Sequence, residues 1–131
     1  MMQALLVMVH GSPRPDANRE MFRVVDLVKQ RGVFPIVEVG FMECNTPDIP
    51  GAIDACVAQG ASEVIAVPYF LHTGTHVMED LPALLEEARA RYPRVQFRMG
   101  TFLGCSTAIA DILVDRVTAA LPNGSAAQAG C

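Results

Sequence analysis

Residues 3–9 read QALLVMV, and this short apolar stretch is the best guide to the fold of the chain. An uninterrupted apolar run of this length is typical of a strand in a parallel sheet, because helices cover both of its faces. Three further strands are predicted over residues 34–41, 63–70 and 95–102. In the fourth strand apolar and polar side chains alternate, which indicates one exposed side and a position at the edge of the sheet.

Between and after these strands, apolar side chains recur at helical spacing. The second helix is predicted to start at Thr46-Pro47-Asp48, with a capping hydroxyl and a proline at the first helical position. Ser106 is predicted to cap the fourth helix. The residues predicted to face inward are Met21, Val25 and Val28 in the first helix, Ile49, Ile53, Cys56 and Val57 in the second, Leu81, Leu84, Leu85 and Ala88 in the third, and Ile109, Ile112, Leu113 and Val117 in the fourth.

Four alternating strand–helix units predict an α/β fold, a three-layer sandwich in which a four-stranded parallel sheet has helices on both faces. The strand order is not readable from the sequence, but 2-1-3-4 is the common one for such a small sheet. We predict a single domain over residues 1–121 and a disordered tail over residues 122–131, which are rich in small and polar side chains. Pro68 is expected at the end of the third strand, because proline cannot donate a hydrogen bond within a ladder.

The composition of the chain narrows the range of its partners. Of its 131 residues 51% are hydrophobic and 18% charged, and the formal net charge of −4 argues against a nucleic acid partner. No apolar run is long enough to cross a bilayer and the N-terminus lacks a signal-peptide pattern, so we expect no membrane partner and a cytoplasmic location. The four cysteines have no zinc-like spacing and are expected to be free thiols, although Cys44 stays open as a soft metal ligand.

Three side chains that suit metal chemistry lie at equal intervals, each after a predicted strand. They are His10, Glu43 and His76, and the intervals 43 − 10 and 76 − 43 are both 33 residues. Because one strand and one crossover helix take about 30 residues or more, this interval can bring all three to one edge of a parallel sheet. Ligands of open α/β sheets bind at the carboxyl edge. Two imidazoles and a carboxylate there are suitable ligands for a first-row transition metal.

The residues around these three side chains allow more than one interpretation. His10 either binds a ligand or only satisfies a turn, and after Gly11 the hydroxyl or amide of Ser12 can bind an anion. His72 and His76 are four residues apart, but the intervening Thr-Gly-Thr favours a loop over a helix. Glu79 and Asp80 are interpreted as acids at a helix N-terminus. The GxGxxG, GxxxxGK and HExxH motifs are absent from the sequence.

At these positions the chain resembles the sirohydrochlorin chelatase family. The resemblance runs from about residue 4 to residue 117, and it depends on the order and spacing of short motifs rather than on any one of them. Those motifs comprise Val9-His10-Gly11-Ser12 with Asn18, Phe41-Met42-Glu43 with Pro47 and Ala52-Ile53, Val67-Pro68-Tyr69-Phe70-Leu71 with Gly74 and His76, Asp80-Leu81-Pro82, and Leu103-Gly104.

The resemblance implies a chelatase-like α/β fold and insertion of Co²⁺, Fe²⁺ or Ni²⁺ into the tetrapyrrole sirohydrochlorin, without ATP or an organic cofactor. It implies that His10 and His76 handle the metal and the pyrrole protons, with Glu43 as an acid or ligand, and that the chain pairs as a homodimer. Ser12, Arg14 and His72 are predicted substrate-binding residues. The chain departs from the family pattern at Pro13, which separates Ser12 from Arg14, and at His72, where relatives often carry a small or apolar residue.

Two other functions remain open from the residues alone. The same histidine and glutamate ligands suit a non-catalytic metal carrier or sensor. A flavodoxin-like module that binds phosphate or nucleotide through His10-Gly11-Ser12 is the second possibility, and it predicts nucleotide binding with no effect of His76→Ala.

Overall fold

The central strand of the sheet is the apolar stretch on which the fold prediction rests. In a computed structural model, which describes residues 2–122 apart from the side chain of His76, the strands are β1 (Gln3–Val9), β2 (Ile36–Phe41), β3 (Glu63–Pro68) and β4 (Gln96–Met99). All pairings are parallel and the order is β2-β1-β3-β4. The helices are α1 (Arg19–Gln30), α2 (Ile49–Ala58), α3 (Leu81–Arg91) and α4 (Ala108–Ala120), with a π-helical turn over His76–Asp80 and a 3₁₀ turn over Leu103–Cys105.

The predicted three-layer α/β fold is therefore confirmed, as is the strand order. β1 has the predicted bounds, whereas the other three strands are shorter than predicted. β4 lies at an edge of the sheet, as its alternating pattern indicated, and Pro68 is the last residue of β3. A proline there needs no ladder partner for its nitrogen, so the strand ends without an unpaired donor.

One side of the sheet, which we call the closed face, is covered by α2 and α3. Side chains alternate along a strand, so Ala4, Leu6 and Met8 of β1 point to this side and pack against the two helices. Gly40 of β2 lets α2 come close, since a Cβ there would lie 2.9 Å from the Cα of Ile49. The fully buried apolar side chains that close this face include Ile49, Ile53, Cys56, Leu81 and Val64.

The other side, which we call the open face, carries α1 and α4 and is much less covered. Met21 and Val25 of α1 are buried against Val7 and Val9, as predicted. None of the α4 residues is buried, so the prediction that this helix faces inward along its length was wrong. Only Ile109 is partly covered among the four predicted positions, while Ile112, Leu113 and Val117 are 45%, 63% and 61% exposed. The apolar stripe is present in the sequence, but the described residues cover little of it.

Two helix starts differ from the prediction. The N-cap of α2 is Asp48, whose carboxylate accepts a hydrogen bond from the amide of Gly51 at 2.8 Å, so Thr46 is not the cap. At α4, Ser106 Oγ accepts a hydrogen bond from the Ala108 amide at 3.1 Å, one residue ahead of the N-cap position. Both starts use side-chain acceptors that satisfy amides of the first turn.

Within residues 2–122 no helix is long and apolar enough to cross a membrane. Cys44, Cys56 and Cys105 are free thiols, as expected, and Cys131 lies outside the described residues. Residues 123–131 of the predicted tail also lie outside them.

Candidate metal site at the carboxyl edge of the sheet

The loops that carry His10 and Glu43 leave neighbouring strands at the same edge. β1 and β2 pair up to Val9 and Phe41, and the pairing continues beyond the strand ends. The Met42 amide donates to the Val9 carbonyl at 2.8 Å and the Glu43 amide donates to the His10 carbonyl at 3.1 Å. The sheet register therefore places the predicted histidine and glutamate side by side.

Their side chains meet. His10 Nε2 lies 3.1 Å from Glu43 Oε1, with the histidine side chain 44% exposed and the glutamate side chain 57% exposed. On the other side of the ring, His10 Nδ1 lies 3.2 Å from the carbonyl oxygen of Gly11. Both ring nitrogens thus lie near oxygen atoms, and both side chains of the pair are partly exposed.

This arrangement suits exchange of a proton for a metal ion. If His10 Nδ1 carries a proton and donates it to the Gly11 carbonyl, Nε2 and the Glu43 carboxylate present lone pairs to each other. A cation or a proton between them removes that repulsion. Two ligand atoms that each bind one first-row metal at about 2.0–2.2 Å are themselves about 3 Å apart. The observed separation of 3.1 Å fits either a shared proton or a shared metal ion.

The third predicted ligand is only partly described. His76 begins the π-helical turn on the β3–α3 connection, so the predicted loop ends before it, and that connection leaves the carboxyl end of β3. Its side chain lies outside the described atoms, and its role stays a prediction. Among the described side chains, no three histidine, cysteine, aspartate or glutamate residues are grouped closely enough to hold a metal ion. The nearby His72 is exposed in the preceding loop, and Glu79 and Asp80 lie ahead of α3 as predicted.

The predicted substrate-binding residues, and two arginines of α1, differ in how many of their polar groups already bond within the protein. The Ser12 amide donates to Asn45 Oδ1 at 2.8 Å and Ser12 Oγ accepts from the Arg14 amide at 3.2 Å, so the amide is not available to an anion. Arg19 and Arg23 face acids on their own segment, Asp16 at 3.9 Å and Glu20 at 2.8 Å. Arg14 is exposed and has no salt bridge within the described part of the chain.

Sequence reasoning missed Asn45, which joins the two loops. Its side-chain oxygen accepts from Ser12, as above, and from Asn18 Nδ2 at 3.2 Å. The signal was available, since 45 − 12 is the same interval of 33 residues that relates His10 to Glu43. A polar cavity of about 470 Å³ opens beside it, lined in part by Arg19, Phe22 and Cys44.

A parallel α/β sandwich with a histidine–carboxylate pair at its carboxyl edge defines a class of small α/β domains that bind ligands at strand ends. The sequence profile of one family, CbiX, matches residues 4–120. The chain belongs to the CbiX family of sirohydrochlorin chelatases.

Curated relatives carry chelatase names. The chain is 43% identical over 84 residues to the sirohydrochlorin cobaltochelatase of Methanocaldococcus jannaschii, which covers 64% of this chain and 59% of the relative. It is 34% identical over 116 residues to the sirohydrochlorin ferrochelatase of Priestia megaterium, with coverage of 88% of this chain and 44% of the relative. The Saccharolobus solfataricus cobaltochelatase is 31% identical, with 88% of this chain and 94% of the relative covered. The chain thus spans only about half the length of several of these relatives.

Solved structures agree with the fold. The sirohydrochlorin chelatase SirB of Bacillus subtilis subspecies spizizenii, solved in complex with cobalt, superposes with a TM-score of 0.86 at 30% identity. That match covers 92% of this chain and 51% of the SirB chain. A CbiX protein of Marinobacter aquaeolei has the same fold, with a TM-score of 0.76 at 21% identity.

Proposed function

We propose that this chain inserts a divalent metal, Co²⁺ or Fe²⁺ and also Ni²⁺ in principle, into sirohydrochlorin without ATP or an organic cofactor. The observation that carries the proposal is the separation of 3.1 Å between His10 Nε2 and Glu43 Oε1 at an exposed sheet edge. Relatives named as cobaltochelatases and ferrochelatases supply the class of reaction. We expect the reaction to take place in the cytoplasm.

The chemistry follows from what the pair can hold. Metal insertion removes two protons from pyrrole nitrogens and strips water from the ion. His10 and Glu43 provide one neutral and one anionic ligand, a weak set from which the ion can leave for the tetrapyrrole. Once the ion has left, one of the two pyrrole protons can take its place between His10 Nε2 and Glu43 Oε1, which are spaced for a shared proton, and His76 is the proposed acceptor of the other. His76 is proposed as the second imidazole in metal and proton transfer.

Arg14 is proposed to contact a substrate carboxylate. Sirohydrochlorin is an anion and the chain has a net charge of −4, so capture depends on local positive charge. Arg19 and Arg23 are offset by neighbouring acids, whereas Arg14 is exposed in the loop that carries His10. His72, also exposed, is proposed to contact the substrate or to alter the choice of metal.

An anaerobic absorbance assay with sirohydrochlorin and each of the three metals tests the proposal. We expect metal-dependent spectral conversion faster than the uncatalysed rate, reduced at least about 100-fold in His10→Ala and His76→Ala, as for loss of a proton-transfer group. Glu43→Ala should lose activity too, while Glu87→Ala, at an exposed glutamate on α3, should keep it. Metal binding without acceleration would favour the carrier instead.

We further propose that two copies of the chain pair through the open face. The face presents a groove of about 330 Å³ between α1 and α4, lined almost entirely by apolar side chains such as Val24, Val28, Tyr69 and Ile112. The chain matches 51% of the SirB chain, so a second copy would supply an equivalent of the remaining half. Covering an apolar face with a second copy is the common solution for a homodimer.

Light scattering after size-exclusion chromatography tests the pairing. Wild type should have twice the mass of the chain, and a Leu113→Glu/Val117→Glu double variant should be a folded monomer. Val33→Glu is the matched control, because Val33 is 68% exposed in the loop between α1 and β2, away from the groove. A monomeric wild type, or a dimeric double variant, would contradict the proposal.

A further inference from the structure

Asn45 ties together the two loops that carry the proposed metal ligands. The β1–α1 connection begins with His10, and the β2–α2 connection contains Glu43 and Asn45. One atom, Asn45 Oδ1, accepts from the Ser12 amide at 2.8 Å and from Asn18 Nδ2 at 3.2 Å. It therefore holds the β1–α1 connection near its start and again just before α1.

The backbone around this contact leaves little freedom. Gly11 has a φ of +94°, and a Cβ there would lie 1.9 Å from the Glu43 carbonyl oxygen, so the two loops touch backbone to backbone. That carbonyl also accepts from the Asn45 amide at 2.8 Å. Asn45 thus folds back over Glu43 and places its side-chain oxygen against the chain that leaves His10.

The side chains of the pair are partly exposed, His10 to 44% and Glu43 to 57%. The loops that carry them set where the two side chains begin, and so contribute to their separation. Mutating a group that orients a metal ligand commonly lowers metal affinity about 10- to 100-fold. Asn45 Oδ1 bonds to two positions of the facing loop, so this side chain is in a position to exert such control.

We propose that Asn45 is a positioning residue that holds His10 and Glu43 at a metal-binding separation by accepting hydrogen bonds from Ser12 and Asn18. The inference rests on the proposed role of the pair as metal ligands. Asn45 does not itself bind the metal; it acts through the loop geometry.

Three variants separate this role from a general structural one. Asn45→Leu keeps the size of the side chain and removes the acceptor, Asn45→Asp keeps the acceptor, and Asn18→Ala removes one of the two donors. With Co²⁺ alone as the probe in isothermal titration calorimetry, we expect Asn45→Leu to bind about 10- to 100-fold more weakly than wild type, comparable with the loss from orienting groups in other metal sites. Asn45→Asp should restore most of the affinity, and Asn18→Ala should lie between wild type and Asn45→Leu. Gln59→Leu, which removes a surface amide bonded to Glu38 at 2.7 Å, is the control that should leave Co²⁺ affinity unchanged.

Amide hydrogen exchange read by NMR gives a second measurement that needs no metal. We expect the Ser12 and Glu43 amides to exchange at least tenfold faster in Asn45→Leu than in wild type and to recover in Asn45→Asp. Unchanged Co²⁺ affinity and unchanged exchange in a folded Asn45→Leu protein would overturn the inference. If Asn45→Leu does not fold, wild-type affinity and exchange in Asn18→Ala would overturn it equally.

Failure of the proposed role of His10 and Glu43 as metal ligands has a different signature. In that case His10→Ala would bind Co²⁺ as wild type does, whereas the exchange rates at Ser12 and Glu43 would still report whether Asn45 holds the loops.

Discussion

The closed and open faces of the sheet bury apolar surface to very different extents. On the closed face, Ile53, Leu81 and Leu85 are at most 1% exposed, because α2 and α3 pack against this side of the sheet. On the open face, the outward positions of α4 are about half exposed or more, including Leu113 and Val114 at 63% and 64%. The same strands serve both faces, so the difference lies in the helices.

This difference indicates which part of the molecule is complete within one chain. The closed face buries its apolar side chains within the chain, and this burial should account for most of the stability of the chain. The open face leaves an apolar groove uncovered, which is typical of a surface that meets another protein. The candidate metal site belongs to neither face, since it lies at the strand ends between them.

Thiol reactivity should show the largest difference between the closed face and the exposed parts of the molecule. Burial, with a smaller contribution from the charge of Glu38, raises the pKa of the Cys56 thiol from 9.0 to about 12. A pKa higher by three units makes the thiolate fraction near pH 8 about 1,000-fold lower than that of a thiol with a pKa of 9.0, because each unit is a factor of ten. Cys44 and Cys105, which are exposed, should react with iodoacetamide first in a peptide mass-spectrometry time course. Labelling of Cys56 in the native protein at their rate would mean that α2 does not seal this face.

Truncating core side chains should show the same contrast in stability. Ile53→Ala should cost about 3–4 kcal/mol in the free energy of unfolding, because it leaves a cavity in a fully buried site. Val117→Ala should cost about 0.5 kcal/mol or less in the dissociated chain, because its side chain is exposed. Urea unfolding at several protein concentrations measures both, and the cost of Val117→Ala should grow where copies associate. Equal costs at low concentration would remove the distinction between the faces.

The start of α2 offers a smaller test on the closed face. Asp48→Ala should destabilise the protein by about 1 kcal/mol, since the Gly51 amide loses its acceptor. Thr46→Ala, at the position that the sequence pattern favoured, should change the unfolding free energy little. Asp48→Asn keeps a capping oxygen and should stay close to wild type in the same urea titration. A larger loss for Thr46→Ala than for Asp48→Ala would reinstate the sequence-based cap.

The smallest effect should come from a polar cluster near the beginning of β3. The Arg98 guanidinium at 2.6 Å, followed by the Gln3 amide at 2.7 Å, lowers the pKa of the Glu63 carboxyl below its usual 4.5. A carboxyl with a lowered folded-state pKa contributes stability above the unfolded value and loses it as the pH falls. Stability should therefore drop below about pH 4.5 in urea titrations, and Glu63→Gln should flatten that drop. Glu87→Gln should keep the wild-type slope, and an unchanged slope in Glu63→Gln would contradict the assignment.

Much of the fold was readable because local patterns and tertiary packing agree. The continuous apolar run of β1 requires cover on both faces, and Pro68 must end a strand. Helix positions such as Met21, Ile53 and Leu85 are buried as their spacing predicted. The exceptions were Thr46, since Asp48 two residues later is the N-cap, and α4, whose apolar spacing is genuine but is little covered by the described residues.

The sequence by itself determined the class of fold, the order of the elements and the interval between His10 and Glu43, because each strand–helix unit returns the chain to the same edge of a parallel sheet. Only the tertiary structure decided that Asn45 bonds to both loops, that the Ser12 amide is already used, and that α4 leaves its apolar side exposed. Spacing places such side chains at strand ends, and the order of strands in the sheet decides which ends are neighbours. Hydrogen bonds and buried surface depend on how loops and helices finally pack, and no local pattern contains that information.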